Sequence, residues 1–262
     1  MTGFRPAVET TVAPSDVHKV LAKNMLVDGF PIVYDGEKSH GTILHDSASG
    51  RDFLDFFTFF ASGSVGHNHP GLFEKTFYER LARVAVNKVS NSDIYTTEMA
   101  EFVATFDRVV VPKELPHLFF ISGGALAVEN ALKAAFDWKV RKNFAKGYKE
   151  EKGHQVIHFR EAFHGRTGYT MSLTNTDPTK TNYFPKFAWP RIDNPKVVFP
   201  LDKHLDEVKA AEKKAVDQIM KAIEKDGDDI AAIIIEPIQG EGGDNHFRPE
   251  FFKELRRIAD EN

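Results

Sequence analysis

The stretch Leu118-Phe119-Phe120-Ile121-Ser122-Gly123-Gly124-Ala125-Leu126-Ala127-Val128-Glu129-Asn130-Ala131-Leu132-Lys133 decides how this chain is read. Its first four residues form a short continuous apolar run, the pattern of a strand buried on both faces. Two glycines follow, and from Ala125 to about Phe144 the apolar spacing is that of a long helix. A strand that turns through glycines into a helix is the building unit of an α/β fold.

The same rhythm extends downstream. Val156-Ile157-His158-Phe159 reads as a second strand, and Leu205–Ile223 as an amphipathic helix with an exposed Lys/Glu face. Ile230–Ile235 is the most apolar strand, and Pro249–Asp260 a final helix with proline in its first turn. Upstream, Pro70–Ala85 and Thr96–Val110 carry helical spacing. Before them Pro31–Tyr34, Gly41–His45 and Asp52–Phe56 are short β-like runs separated by turn-rich Asp35-Gly36 and Ser47–Gly50, the pattern of a small antiparallel meander. Residues 1–14 read as a loose arm, and Ser15 or Asp16 can cap a short helix. The expected architecture is a mainly parallel sheet flanked by helices. A Gly/Asn/Pro-rich loop at 62–70 is the expected boundary between a first part, 1–66, and a second, 67–262.

Composition narrows the function classes. The 262 residues are 42% hydrophobic and 27% charged, values of an ordinary globular domain. With 34 basic and 38 acidic residues the net charge is −4, which argues against nucleic acid or an anionic membrane surface as the main partner. The absence of cysteine excludes disulfides, thiolate metal sites and a cysteine nucleophile. No run of 18 apolar residues spans a membrane, and the N-terminus leads into no apolar signal region. A soluble cytoplasmic protein is the expectation.

Four motifs could carry chemistry. Ser122-Gly123-Gly124-Ala125 opens a helix whose first-turn N–H groups and dipole can hold a phosphate. Its spacing fits neither a P-loop nor a dinucleotide fingerprint, and taken alone the glycine pair reads first as an ordinary strand-to-helix turn. Glu161-Ala162-Phe163-His164-Gly165-Arg166 follows a strand, where open α/β sheets place ligands. Phe163 can stack on a flat ring, and the Arg166 fork matches a carboxylate. A surface loop with a core-filling Phe is the plain alternative. Glu236-Pro237-Ile238-Gln239-Gly240-Glu241-Gly242-Gly243 places one acid at the end of a buried strand and a second among glycines, where a side chain can swing or simply be solvated. Gly66-His67-Asn68-His69-Pro70 invites a metal reading, but no third ligand stands at a suitable spacing, and a helix-entry loop accounts for it better.

These motifs, in this order, resemble the class III, fold-type I aminotransferases that use pyridoxal phosphate, from about Met25 to Asn262. Met25–Gly29, Asn87–Asp93, Phe184–Arg191 and Asp244–Phe252 resemble the lysine 6-aminotransferase branch. The resemblance implies the large cofactor-binding domain of that fold, incomplete, with an N-terminal part of the small domain. It implies transfer of the ε-amino group of L-lysine to 2-oxoglutarate, giving 2-aminoadipate 6-semialdehyde and L-glutamate. Ornithine, acetylornithine and 4-aminobutyrate are the alternative donors. Gly123, Gly124 and Ala125 would hold the cofactor phosphate, Phe163 would stack on its ring beside His164, and Glu236 would lie near its polar edge. Arg166 would bind the substrate α-carboxylate, Glu241 would pair with an arginine late in the family's chain when the ε-amino donor is bound and swing aside for a dicarboxylate, and Phe60 would line the substrate channel. The family is homodimeric. It also carries an Asp-Glu-x-x-Thr-Gly motif and a Schiff-base lysine, neither of which this sequence contains. The expectation is therefore that no residue of this chain is the covalent catalyst and that the chain alone is inactive and poorly soluble, as a fragment or as half of a split enzyme.

Overall fold

A computed structural model describes residues 11–262. Most of the expected N-terminal arm lies outside the described residues. The chain forms two compact units, one reaching Pro116 and one from His117 to Asn262.

In the first unit a 3-10 turn at Pro14–Asp16 leads into α1 (Val17–Leu21). The hairpin β1 (Ile43–Asp46) and β2 (Arg51–Leu54) is antiparallel, pairing Ile43 with Leu54 and Asp46 with Arg51. Asp46 folds its turn. The Ser49 hydroxyl and the N–H groups of Val33, Ala48 and Ser49 donate to its carboxylate, which holds its pKa down to about 2. The expected first strand, Pro31–Tyr34, is reduced to an isolated bridge from Tyr34 to Asp46. The four-residue element α2 (Thr58–Ala61) winds in the left-handed region, with φ from 48° at Thr58 to 61° at Ala61. Helices α3 (Lys75–Val86) and α4 (Thr97–Val109) follow, capped by the Glu74 carboxylate and the Thr96 hydroxyl.

The division of the two units falls at Pro116/His117. The 62–70 loop is stitched to the hairpin region. The backbone of His67 exchanges hydrogen bonds with Gly41, and a Cβ on Gly66 would lie 2.5 Å from the Gly41 carbonyl oxygen.

The second unit holds α5 (Gly124–Ala145), β3 (Gln155–Phe159), α6 (Gly168–Leu173), α7 (Pro178–Thr181), β4 (Arg191–Ile192), α8 (Leu201–Asp226), β5 (Ile230–Ile233), β6 (Ile238–Gln239), β7 (Asn245–His246) and α9 (Pro249–Glu261). The sheet order is β4-β3-β5, all parallel. Alternation along β3 sorts the core. Ile157 and Phe159 pack with Ala215 and Ile219 of α8 and with Phe251, Leu255 and Ile258 of α9. Val156 packs on the other face with Leu132 and Phe136 of α5 and Leu173 of α6. Asp229 ties the strand entrances together, accepting the N–H groups of Gly153 and His154.

The run that opened the reading is corrected. Leu118–Ile121 is not a strand, and Leu118, Phe119 and Ile121 are 36%, 69% and 41% exposed. The parallel sheet has the order β4-β3-β5, and Leu118–Ile121 takes no place in it.

Candidate functional site

Three loops at the carboxyl ends of the strands, and at the start of α5, meet in the second unit. Gly123 has φ 96° and is the N-cap of α5, with no side chain bonding to the helix end. A Cβ built on Gly123 or Gly124 finds nothing within 4 Å. The first-turn N–H groups have no acceptor inside a helix, and the space beside Gly123 and Gly124 is open.

The loop after β3 is pressed onto that end. Gly165 has φ 119°, and a Cβ there would lie 2.5 Å from the Ala125 Cβ. Only glycine allows this approach. One turn along α5, Glu129 accepts the Thr167 hydroxyl at 2.7 Å and the Thr170 N–H at 3.1 Å. Thr174 accepts the His164 N–H at 2.9 Å and donates to the Gly165 carbonyl at 2.6 Å. His164 is buried, and burial lowers its pKa to about 4, so the ring is neutral at pH 7. Its Nε2 is buried with no hydrogen-bond partner. Phe163 is half-buried and Arg166 exposed, with no ion pair among the described residues.

The third loop closes on the second. The Glu236 carboxylate accepts the Phe163 N–H at 2.7 Å. Burial raises the Glu236 pKa, the Phe163 hydrogen bond opposes this, and the negative charge of Glu241 raises it further. Glu241 stands in the turn of the β6–β7 hairpin, which is less free than its glycines suggest. The N–H groups of Gly243 and Asp244 donate to the Gly240 carbonyl, and a Cβ on Gly242 would lie 2.0 Å from the Glu161 carbonyl oxygen. The backbone is pinned, and the side chain alone can turn. It forms an ion pair with Lys180 of α7.

Sequence reasoning missed the network beneath these loops. Glu161 accepts Lys196 Nζ at 2.6 Å, Asn245 Nδ2 at 2.8 Å and Asn194 Nδ2 at 3.2 Å. Gln239, fully buried, accepts Asn194 at 2.6 Å and donates to the Arg160 carbonyl at 3.0 Å. Asn194 and Lys196 follow β4, so the strand-end rule could have found them, but a two-residue strand leaves no apolar run to announce itself. Phe60 lies in the first unit, 87% exposed. His67 there spends its ring on Asp55, at 2.8 Å, and on the Tyr34 hydroxyl, at 3.2 Å, while His69 accepts the Gly71 N–H.

The family model described as aminotransferase class III matches residues 25–262. The chain belongs to the class III aminotransferases. Among relatives of this class III chain, L-lysine-epsilon aminotransferase of Mycobacterium tuberculosis (strain ATCC 25618 / H37Rv) is 55% identical over 249 residues, 95% of this chain and 55% of its own length. The protein of the same name from Streptomyces clavuligerus is 48% identical over 248 residues, 94% of this chain and 54% of its own. The solved lysine aminotransferase from M. tuberculosis matches with a TM-score of 0.91 at 54% identity, covering 95% of this chain and 57% of that one. The fold is therefore that of fold-type I, and the chain spans about half the length of the curated relatives it matches.

Class III aminotransferases are pyridoxal-phosphate enzymes, and the residues present fit that group. The open glycine cradle suits a phosphate, and the unpartnered His164 Nε2 and the half-buried Glu236 offer polar contacts beside the half-buried Phe163 ring. Among the described residues no helix is long and apolar enough to cross a membrane.

Proposed function

We propose that the intact protein transfers the ε-amino group of L-lysine to 2-oxoglutarate with pyridoxal phosphate, giving 2-aminoadipate 6-semialdehyde and L-glutamate. The observation that carries this reading is the convergence of the three loops, with Gly165 on Ala125, Phe163 on Glu236 and Gly242 on Glu161. Lysine as donor is supported by 55% and 48% identity to lysine-epsilon aminotransferases, against 31% to the 4-aminobutyrate aminotransferase of Emericella nidulans.

On this reading the N–H groups of Gly123, Gly124 and Ala125 hold the phosphate, where helix dipole and backbone donors favour an anion. Phe163 lies against the cofactor ring, its main chain fixed by Glu236. His164, neutral at pH 7, offers Nε2 as a hydrogen-bonding group without adding charge. Arg166 grips the α-carboxylate in a two-pronged contact, and Glu241 faces the distal end of the substrate. Phe60 contributes to the substrate channel. The bound cofactor supplies an electron-withdrawing ring that lets amino group and carbonyl be exchanged. No residue of this chain is assigned the covalent role. The intact enzyme is a cytoplasmic homodimer whose small-domain part lies in 1–66 and whose cofactor domain starts at 67.

An amine-donor panel with 2-oxoglutarate, read as glutamate formed, tests the reading. Lysine is expected to be the preferred donor. Preference for ornithine, acetylornithine or 4-aminobutyrate overturns the substrate, and no transfer from any amine overturns the activity.

A further inference from the structure

We propose that His67, acting through Asp55, is the positioning residue for the Thr58–Ala61 turn and so for Phe60, which makes it a determinant of how the aliphatic chain of the amino donor is held. The proposal rests on the transamination reading, in which Phe60 contributes to the substrate channel, and deepens it.

The turn needs outside support. Thr58, Phe59, Phe60 and Ala61 have φ of 48°, 50°, 55° and 61°, and none is glycine. In this region the Cβ of an L-residue crowds the following carbonyl oxygen, so four in succession persist only where the surroundings over-determine them. Phe60 is 87% exposed, and its own burial contributes little. The Asp55 carboxylate supplies the hold. Its Oδ1 accepts the Phe57 and Thr58 N–H groups, each at 2.8 Å, at the entrance of the turn. The Thr58 N–H keeps the Asp55 carboxyl below the usual carboxylate range against its burial, and the Phe57 N–H and His67 add to this.

His67 holds Asp55 in turn. Its Nε2 lies 2.8 Å from Asp55 Oδ2, and both side chains are 6% exposed. An ionised carboxylate only accepts, so Nε2 carries a proton, and in the neutral ring Nδ1 accepts the Tyr34 hydroxyl at 3.2 Å. Phe59 closes over the pair, its ring edge-on to Tyr34 at 5.7 Å and to His67 at 5.6 Å between centroids. The His67 backbone is fixed as well, exchanging two hydrogen bonds of 2.8 Å with Gly41. Phe57 passes the hold on to Phe60, their ring centroids 4.8 Å apart. The relay Tyr34–His67–Asp55 therefore runs from a fixed backbone through buried polar contacts to a strained turn. At its end Phe60 presents an apolar ring that methylenes can cover. Lysine carries a longer methylene chain than 2-oxoglutarate, so a displaced Phe60 weakens the donor more than the acceptor.

The test has two arms. The first follows hydrogen exchange by mass spectrometry on the purified protein without turnover. In His67→Leu the Phe57 and Thr58 amides are expected to exchange about two- to tenfold faster, the worth of one net hydrogen bond, while the β1–β2 hairpin exchanges at the parent rate. Unchanged exchange at Phe57 and Thr58 overturns the relay. If the hairpin accelerates equally, Tyr34→Phe, which removes a single hydroxyl, decides by the same criterion. The second arm compares the whole enzyme with His67→Leu, His67→Gln and Phe60→Ala. His67→Leu is expected to raise KM for lysine about two- to tenfold, with KM for 2-oxoglutarate within about twofold. His67→Gln, whose side-chain N–H can still donate to Asp55, is expected to restore the KM. In a Phe60→Ala background His67→Leu is expected to add nothing, since both act through one ring. Full additivity, or an equal rise for both substrates, rejects the positioning role and leaves the transamination reading intact. Absence of amino transfer in the unmodified enzyme rejects that reading and the channel role with it, and the exchange arm then judges the relay alone.

Discussion

Helices α3 and α5 begin in opposite ways. The first turn of α3 is closed by its own chain, since the Glu74 carboxylate accepts the Phe77 N–H at 3.0 Å. The first turn of α5 has no side-chain cap at Gly123, and a Cβ on Gly123 or Gly124 meets nothing within 4 Å. Burial runs the other way. No residue of α3 is buried, while α5 buries Leu132, Phe136, Lys139 and Asn143. Helix α3 closes its end with its own chain and leaves its apolar stripe exposed. The helix at the site is anchored along its length and has a free end, which a bound anion can occupy.

The contrast in burial gives the largest expected effect. Phe159 is fully buried between the sheet and α9, its ring centroid 5.9 Å from that of Phe251. Phe159→Ala is expected to destabilise the second unit by about 3–5 kcal/mol, read as a lowered urea midpoint. A loss below about 1 kcal/mol would mean that the α9 side of the sheet is not packed in solution.

The second effect is electrostatic. His158 and His164 both have pKa values lowered from 6.5 to about 4, chiefly by burial. Between these values the unfolded chain takes up protons that the folded one refuses. Their contribution is fully present above pH 6.5, is lost as pH falls toward 4, and is constant below. The limit is on the order of 3 kcal/mol for each ring. Urea midpoints between pH 7.5 and 4.5 measure the slope, and His158→Gln is expected to flatten it by about half. An unchanged slope removes His158 from the account.

Glycine substitutions separate packing from ligand approach at the same helix end. Gly165→Ala places a methyl 2.5 Å from the Ala125 Cβ at φ 119°, so it is expected to cost about 1–3 kcal/mol and to abolish retention of pyridoxal phosphate. Gly124→Ala meets open space, so stability is expected to hold while cofactor affinity falls. Equal cofactor binding by Gly124→Ala and the parent protein would place the phosphate elsewhere. Absorbance retained after gel filtration reads both.

Much of this site was legible because its signals are local. Glycines before a helix, Phe163 to Arg166 after β3 and the acid after β5 each follow from a strand end, and the expected elements from Gln155 onward form within a few residues of their reading. What was not legible depends on distant partners. Leu118–Ile121 has the composition of a buried strand, but pairing is a property of two segments and no single stretch records it. The left-handed turn at Thr58–Ala61 escaped for the same reason. Nothing in Thr-Phe-Phe-Ala signals positive φ, and the Asp55 carboxylate that accepts the Phe57 and Thr58 N–H groups is itself held by His67. Gln239 and Asn245 read as loop polars until the hairpin brings Asn245 to both Glu161 and Gln239.

The smallest effect bears most directly on the difference between the two helices. Leu81 lies on the apolar stripe of α3 with 52% of its surface exposed. Truncating a side chain that water already reaches removes little transfer free energy and leaves no cavity, so Leu81→Ala is expected to cost well under about 1 kcal/mol. Alanine also favours the helix slightly over leucine, which offsets part of that loss. If the urea midpoint falls instead as far as for Phe159→Ala, the α3 stripe is covered in solution. The contrast would then lie in what each helix packs against, because a stripe of this amphipathic pattern loses several kcal/mol on truncation only when another apolar surface lies on it.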